Sequence, residues 1–500
     1  MKKLVGFVAL VAALVLGGYY AMGILTERAI KKNIDVLNQV NGVTVTLKQY
    51  HRSWFKSEAL LNWTLILPAR SVIKNGITIN QPLKTYDLQM PLHICHGPFI
   101  FADSKVKFGL GYANSIVTIP PIYEKQFNEA YAANSTKPSL NLSVFVSYLN
   151  NTSLGVIVPE FKLISNQANN RFEWKGMTND VKISATKKRM QGDLLVNGLA
   201  WVKDQIKGKV TEVKSQYDLH VTSSGLYLGD ADLSLPAILI TRNNDKLFEM
   251  NGFEAHSSSD VKNNLFHSSL KLEMAKLFLN QRIYSSCSLM FSIKNLDATV
   301  FASMHKKLAQ ANQNPNGNSQ SALLSLLSDL PNLLNKGAEL KLSDFKVTTA
   351  DGSINANMLF ALPNENITNP FQLIQKLKGD GNIVVSASLL KELIRSSLQQ
   401  KLQASIAAHN TALSQDAVAG TNQIDPSKSS SVATPGINPE SSSMVVSSIE
   451  LNQQAEQKIN SLIKSGVFLP QGVDYILAFK FTDGRLTIND KIFDPTMLQM

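Results

Sequence analysis

Apolar and polar positions alternate with a period of two over most of the chain. In residues 42–55 the apolar Val43, Val45 and Leu47 are separated by polar residues, and the segment 57–68 continues the pattern after a short break. Because successive side chains of a strand point to opposite faces, this alternation predicts a hairpin of half-buried strands. Residues 171–300 repeat the pattern between turns of Gly, Asn and Asp, which predicts a long antiparallel meander.

Apolar residues at helical spacing interrupt the strands in a few places. The clearest predicted hairpin turns at Asp351-Gly352, and the end of the chain is predicted to form a helix and a closing hairpin. The fold class is therefore predicted as α+β and β-dominated, with long antiparallel meander sheets, flanking helices and one N-terminal transmembrane helix. The predicted helices cover residues 26–40, 120–133, 299–313 and 319–337, the second part of 381–409, and the segment after 452.

The N-terminal segment has the pattern of a membrane span. Lys2 and Lys3 precede the uncharged stretch Leu4–Leu25. As a helix these 22 residues would be about 33 Å long, which matches a hydrocarbon core of about 30 Å. We expect an uncleaved signal anchor with the rest of the chain on the outer side of the membrane. The alternative is a cleavable signal peptide, for which Ala21-Met22-Gly23 is a conceivable site.

Composition and patterning divide the chain into four predicted regions. Residues 1–25 are predicted as the transmembrane anchor and 26–409 as a β-rich periplasmic region, with a sub-boundary near 300–320. Residues 410–450 are rich in Ser, Ala and Pro and short of large apolar side chains, which predicts a flexible insertion. Residues 451–500 are predicted to close the β-rich region with a helix and a hairpin.

Charge and cysteine content exclude some classes of protein. The net charge of +11 comes from scattered Lys and Arg, whereas a nucleic-acid-binding protein more often gathers them into a stripe. The basic segment 201–213 is interpreted as a solvated helix face. Two cysteines, Cys95 and Cys287, are too few for a disulfide framework, and a single bridge between them stays open.

The segment PLHICHGPFI, residues 91–100, carries the candidate chemistry. His93, Cys95 and His96 are suitable ligands for zinc or copper, and a thiol beside a histidine also fits a nucleophile with its base. In a strand, however, His93 and Cys95 share one face and His96 lies on the other. We therefore interpret the segment as a strand with a buried Cys95 that ends at a Gly-Pro turn. No catalytic residue, metal site or cofactor is predicted.

Several short motifs occur in order along the chain and resemble the YdgA-like family of bacterial envelope proteins. They are YHRSWF near residue 50, HGPF near 100, FEWKG after 170, GLYLGDADL after 224 and YILAFKFTDGRLTIND near the end. The resemblance implies a Gram-negative protein of unknown biochemical function that is held at the inner membrane and faces the periplasm. It brings no catalytic residues with it.

These features together favour a non-catalytic binding or scaffold protein of the bacterial envelope. Its expected partners are the inner membrane, through residues 4–25, and a lipid or an envelope protein, with an apolar groove as the lipid-binding variant. Nucleic acid is not expected. The alternative is an envelope hydrolase or metal-dependent enzyme that uses the region of His93, Cys95 and His96.

Overall fold

The computed structural model describes residues 2–38, 43–67, 70–74, 77–102, 104–167, 169–313, 319–367, 369–419 and 448–494. Side chains are described for most of these residues, and those of 2–12, 14 and 405–419 are among the ones left out. The chain divides into two compact units, of which the first comprises residues 1–340 and 362–373 and the second residues 341–361 and 374–500. The β-dominated class is confirmed, because more than half of the described residues are in strands and a large antiparallel sheet dominates.

The first unit begins with one long helix and continues mainly as strands. Its helices are α1 (Lys2–Leu37), α2 (Glu124–Ala130), α3 (Ala298–Gln313) and α4 (Ser319–Leu334). Its first ten strands are β1 (Val43–Arg52), β2 (Lys56–Leu67), β3 (Arg70–Lys74), β4 (Ile77–Gln81), β5 (Lys84–His96), β6 (Phe99–Ala102), β7 (Lys105–Thr118), β8 (Ser139–Ser147), β9 (Thr152–Val158) and β10 (Phe161–Ile164). Ten more follow: β11 (Arg171–Trp174), β12 (Met177–Ile183), β13 (Arg189–Val196), β14 (Leu199–Lys203), β15 (Ile206–Val210), β16 (Val213–Val221), β17 (Tyr227–Arg242), β18 (Asp245–Lys262), β19 (Leu265–Leu279) and β20 (Arg282–Asp297).

The pairing of these strands is antiparallel throughout the registers described. The neighbours run in the order β1, β2, β5, β7, β8, β9, β12, β13, β16, β17, β18, β19, β20. The second half of β17 pairs instead with β15, which begins a side branch through β14 and β11 to β10. The predicted meander therefore forms, with a fork at β17.

The longest strands are joined by two-residue turns whose residues have positive φ. Asn243 and Asn244 connect β17 to β18, Asn263 and Asn264 connect β18 to β19, and Asn280 begins the turn into β20. Asn tolerates left-handed backbone better than most residues, and two such residues in succession match the twist of a hairpin. These three turns hold the four strands in one register.

One sequence prediction in this region is wrong. Residues 201–213 were predicted as a solvated helix face, but they form the end of β14, a turn and β15, with Trp201 opposite Gly208. A Cβ at Gly208 would lie only 2.0 Å from the Trp201 ring, so the ring covers the space that this glycine leaves open. Neither residue stands out at helical or strand spacing in the sequence.

The second unit packs helices on a smaller set of strands. The segment at its border holds β21 (Glu339–Thr349) and α5 (Pro370–Lys376), and the unit itself holds β22 (Gly352–Ala361), β23 (Lys378–Ser386), α6 (Ala387–Ala419), α7 (Ser448–Lys464), β24 (Leu469–Gln471), β25 (Asp474–Thr482), β26 (Arg485–Ile488) and β27 (Lys491–Ile492). Leu389, Leu390 and Ile459 join α6 and α7 in a core against Val385 of β23. Helix α6 extends to Ala419 and α7 begins at Ser448, so thirteen residues of the predicted insertion are helical, and residues 420–447 lie outside the described residues.

The predicted transmembrane helix falls within α1, which has 36 residues. Within the described part of the chain, no helix combines the length and the apolar character that a membrane crossing requires. Ten of the 22 side chains of the segment Leu4–Leu25 lie outside the described residues, so the membrane span stays a prediction. The same segment ends differently from the expectation, because its last residues pack against the β-rich unit.

Candidate functional site

Helix α1 is fixed to the sheet by its second half. Ile34 is buried against Val45 of β1 and Leu61 of β2. At the end of the helix, the Asn38 side chain donates to the carbonyl oxygen of Val45 at 3.0 Å and accepts from its N–H at 2.6 Å. These paired bonds join the end of the helix to the first strand, so the chain leaves α1 in a defined direction.

About three turns further toward the N-terminus, α1 lies over the end of β5. Gly23 faces Arg52 and His96, and a Cβ added to Gly23 would lie 3.3 Å from Arg52 Cδ and 3.3 Å from His96 Nε2. Glu27 accepts hydrogen bonds from Lys31 at 2.8 Å and from Arg52 at 3.2 Å. The Lys31 hydrogen bond, together with the charges of Lys31 and Arg52, holds the pKa of Glu27 below its usual value.

The contacts of α1 that lie nearest its N-terminus are aromatic. The Tyr19 hydroxyl donates to the Phe99 carbonyl at 2.7 Å, and its ring meets Phe55 edge to face at 4.8 Å between centroids. Tyr20 packs on Trp54 at 5.4 Å, with Arg52 at 5.3 Å from its ring. Tyr19 is only 7% exposed, whereas a Cβ added at Gly17 or Gly18 would meet nothing within 4 Å. The helix therefore leaves the fold between Gly18 and Tyr19.

The structure separates the three residues of the candidate chemical site. His93 is exposed and lies 4.0 Å from Glu58 Oε1. Cys95 is half-buried, and His96 is buried on the opposite face under α1. The predicted alternation is confirmed, but the buried residue is His96 and not Cys95. Across the described ranges, no three His, Cys, Asp or Glu side chains come together in a way that could hold a metal ion.

The two cysteines do not form a disulfide. Cys95 lies on β5 and Cys287 on β20, where it pairs with Met274 of β19. Burial raises the pKa of the Cys287 thiol, so its reactive thiolate is disfavoured. Cys287 therefore lacks the surroundings of an activated nucleophile.

His96 forms a buried polar pair that the sequence did not indicate. Its Nε2 lies 2.8 Å from the hydroxyl oxygen of Ser57, and the two residues are 1% and 2% exposed. Burial lowers the pKa of His96 by more than a backbone hydrogen bond of Lys56 raises it, and the positive charge of Arg52 also lowers it, so the neutral ring is favoured. The partner Ser57 follows the motif YHRSWF, but nothing in the alternation of β2 marks a hydroxyl that is fully buried.

A serine next to a neutral histidine has the composition of a nucleophile and its base, but this pair lacks the other parts of such a site. Among the described side chains, Nδ1 of His96 has no hydrogen-bond partner, so no carboxylate orients the ring. Helix α1 covers His96 at Gly23, and both members of the pair are almost fully buried. The geometry therefore supports a packing role, in which Ser57 satisfies the buried imidazole.

The glycines of the same region act through close backbone approach. A Cβ at Gly97 would lie 1.8 Å from the carbonyl oxygen of Gly109, and a Cβ at Gly109 would lie 2.5 Å from that of Val146. The Gly97-Pro98 peptide is cis and turns the chain from β5 into β6. The motif HGPF is therefore a strand crossing that only glycine permits.

Comparisons with known proteins give a family for this chain. It belongs to DUF945, described as a bacterial protein of unknown function, whose family model matches residues 1–496. No curated protein and no solved structure matched the chain. The expectation of an uncharacterised bacterial family is thereby confirmed, and the match includes the N-terminal helix together with the β-rich regions.

Proposed function

We propose that this chain is a single-pass protein of the bacterial inner membrane, of the YdgA-like type, whose β-rich region stands in the periplasm as a non-catalytic binding or scaffold component of the envelope. One observation carries the proposal. Helix α1 runs without a break from the apolar N-terminal segment to Ile34, which is buried beside Val45, and this continuity supports an uncleaved anchor. Lys2 and Lys3 give the orientation, with the N-terminus inside.

The long strands β17 to β20 offer the surface that this function needs. Leu235, Phe253 and Met274 lie opposite one another in register, and Leu272 pairs with Leu289 in the adjacent row. These side chains are half-buried and share one face, because each row is separated from the next by two positions along its strand. We assign this face to a lipid or acyl chain, since a contiguous apolar face is a common mark of a binding surface.

Native mass spectrometry of the full-length protein, released from detergent micelles, tests the binding proposal. A co-purifying phospholipid would support it, provided that Leu272→Ser removes the adduct. The matched control is Lys271→Gln, because residue 271 neighbours Leu272 and points to the opposite face. If the Leu272→Ser variant still carries the lipid, the lipid binds elsewhere. A polypeptide without any adduct would favour a protein partner and a scaffold role.

A metal adduct in the same spectrum would support the enzymatic alternative and overturn the non-catalytic reading. The geometry gives the reason for expecting none, because His93 and His96 lie on opposite faces of β5. His93→Ala is the diagnostic variant for such an adduct, since this side chain is exposed and its removal leaves the core untouched.

A further inference from the structure

Large apolar side chains are exposed together at one end of the first unit, where α1 enters it. They belong to the turn between β1 and β2, to the β6–β7 hairpin and to the turn between β8 and β9. We call these residues the aromatic rim: Trp54, Phe55, Phe99, Phe101, Phe108, Tyr148 and Leu149. The most exposed of them, Phe101 and Leu149, are 73% and 78% accessible.

Contacts between these segments place the rim around a single point of the helix. Tyr19 touches both Phe55 and the backbone of Phe99. The ring of Phe99 meets that of Phe108 at 5.6 Å, and the Tyr148 hydroxyl donates to the Pro98 carbonyl at 2.5 Å. The three segments are thus packed side by side at the level where α1 leaves the fold.

The length of the free part of α1 sets the distance between the rim and the membrane. The segment Leu4–Gly18 has 15 residues before the fold begins at Tyr19. As a helix it would be about 22 Å long, whereas a typical hydrocarbon core is about 30 Å thick. A span of this length reaches both interfaces only if the bilayer thins or if the residues at its end enter the interface.

The chemistry of the rim favours entry of the residues at the end of the span into the interface. Trp and Tyr collect at the interface because their rings are apolar while their N–H and O–H groups stay hydrated. Trp54 and Tyr148 are exposed at this level, and Tyr20 stands beside Trp54 on the helix itself. A soluble surface rarely gathers so many exposed aromatic residues in adjoining turns.

We propose that the aromatic rim inserts into the interfacial layer of the same bilayer that holds α1. The first unit is then held against the membrane surface by a second contact in addition to the helix. This inference rests on the proposed membrane anchor. Lipid is the occupant because the rim is continuous with the apolar helix and because the free span is too short to cross the bilayer without it. The basic side chains Lys56 and Lys105 are exposed at the same turns.

Tryptophan quenching in vesicles tests the proposal. The full-length protein is reconstituted into phosphatidylethanolamine vesicles with a minority of phosphatidylglycerol, and brominated lipids carry the bromine either near the headgroup or deep in the chain. Of the four tryptophans, Trp54 is the exposed one on the rim. We expect shallow bromines to quench the wild type more strongly than deep ones, and Trp54→Phe to lose most of that quenching. Trp174→Phe, on β11, is the matched control and should retain it.

The possible results separate the rim from the anchor. If the protein floats with the vesicles and Trp54→Phe leaves the quenching unchanged, the rim does not touch lipid and this inference is wrong, while the anchor stands. If the protein does not float with the vesicles, the proposed anchor itself is wrong. Phe101→Asp gives a second test, because the Phe101 side chain is 73% exposed and its replacement should cost little stability. The variant should weaken the quenching of Trp54 while the protein still floats with the vesicles.

Discussion

Gly23 of α1 lies directly on the imidazole of His96, so that a single added Cβ would stand 3.3 Å from Nε2. This contact joins the N-terminal helix to the end of β5, and it explains a glycine within a helix, where glycine costs about 1 kcal/mol relative to alanine. The motif that most resembled a chemical site is thus a packing contact between the helix and the sheet.

Replacing Gly23 with leucine should loosen the helix from the sheet. The side chain would collide with Arg52 and His96, and overpacking of this kind costs about 1–3 kcal/mol. Thermal unfolding of the detergent-solubilised protein should show a lower midpoint, and proteolysis should cut α1 sooner. Gly18→Leu is the control, since its Cβ meets nothing within 4 Å. Equal effects of the two variants would mean that the helix does not pack at Gly23.

The stability of the first unit should depend on pH through His96. Burial lowers the pKa of His96 in the folded protein below its ordinary value of 6.5, so below this pH the unfolded chain binds a proton that the folded chain does not. The free energy of unfolding should therefore be unaffected well above pH 6.5 and fall as the pH drops below it. Denaturant titrations at a series of pH values measure this, and His96→Gln should flatten the decline between the two pKa values. His93→Gln, on the exposed face, should leave it as in the wild type.

Alanine substitutions at the two histidines should have opposite outcomes. His96→Ala removes the ring nitrogen that lies 2.8 Å from the buried Ser57 hydroxyl, which should destabilise the protein by about 1–3 kcal/mol. His93→Ala should have little effect, since its side chain is exposed. Chemical denaturation measures both. A His96→Ala variant that folds with wild-type stability but loses its phenotype in cells would point to catalysis.

The long strands should lose stability in acid through Glu249. Hydrogen bonds from Lys246, Asn251 and Lys276 lower the pKa of this carboxyl to about 2. Because the pKa is depressed in the folded state, the contribution is complete above about pH 4.5 and is lost as the pH falls toward 2. Glu249→Gln should remove this part of the acid dependence in unfolding experiments. Glu254→Gln, the same change on the same strand, is the control, and a matching response there would contradict the assignment.

Much of the fold was predictable because it depends on local periodicity. The meander, the hairpin of β1 and β2 and the helices α3 and α4 all follow from alternation or helical spacing in the sequence. Residues 201–213 were misread because the pairing of Trp201 with Gly208 is a cross-strand relationship that spacing along one strand does not reveal.

The candidate site was predictable only in part. Alternation correctly placed His93 and His96 on opposite faces of β5. It could not show that α1 covers His96, that Ser57 is its partner or that the exposed aromatic residues meet at one end, because these contacts join segments up to eighty positions apart. The consecutive aromatic residues Trp54 and Phe55 in a turn were the one available signal for the rim.

Membrane attachment and topology in cells test the account most directly. Spheroplasts of the producing bacterium are treated with protease from outside, and the membranes of untreated cells are washed with alkaline carbonate. We expect the protein to stay in the washed membranes at the full mass of the chain, including Tyr19 and Gly23, and the external protease to destroy the β-rich region. Release into the wash, a mass that lacks the N-terminal segment, or full protection from protease would contradict this expectation.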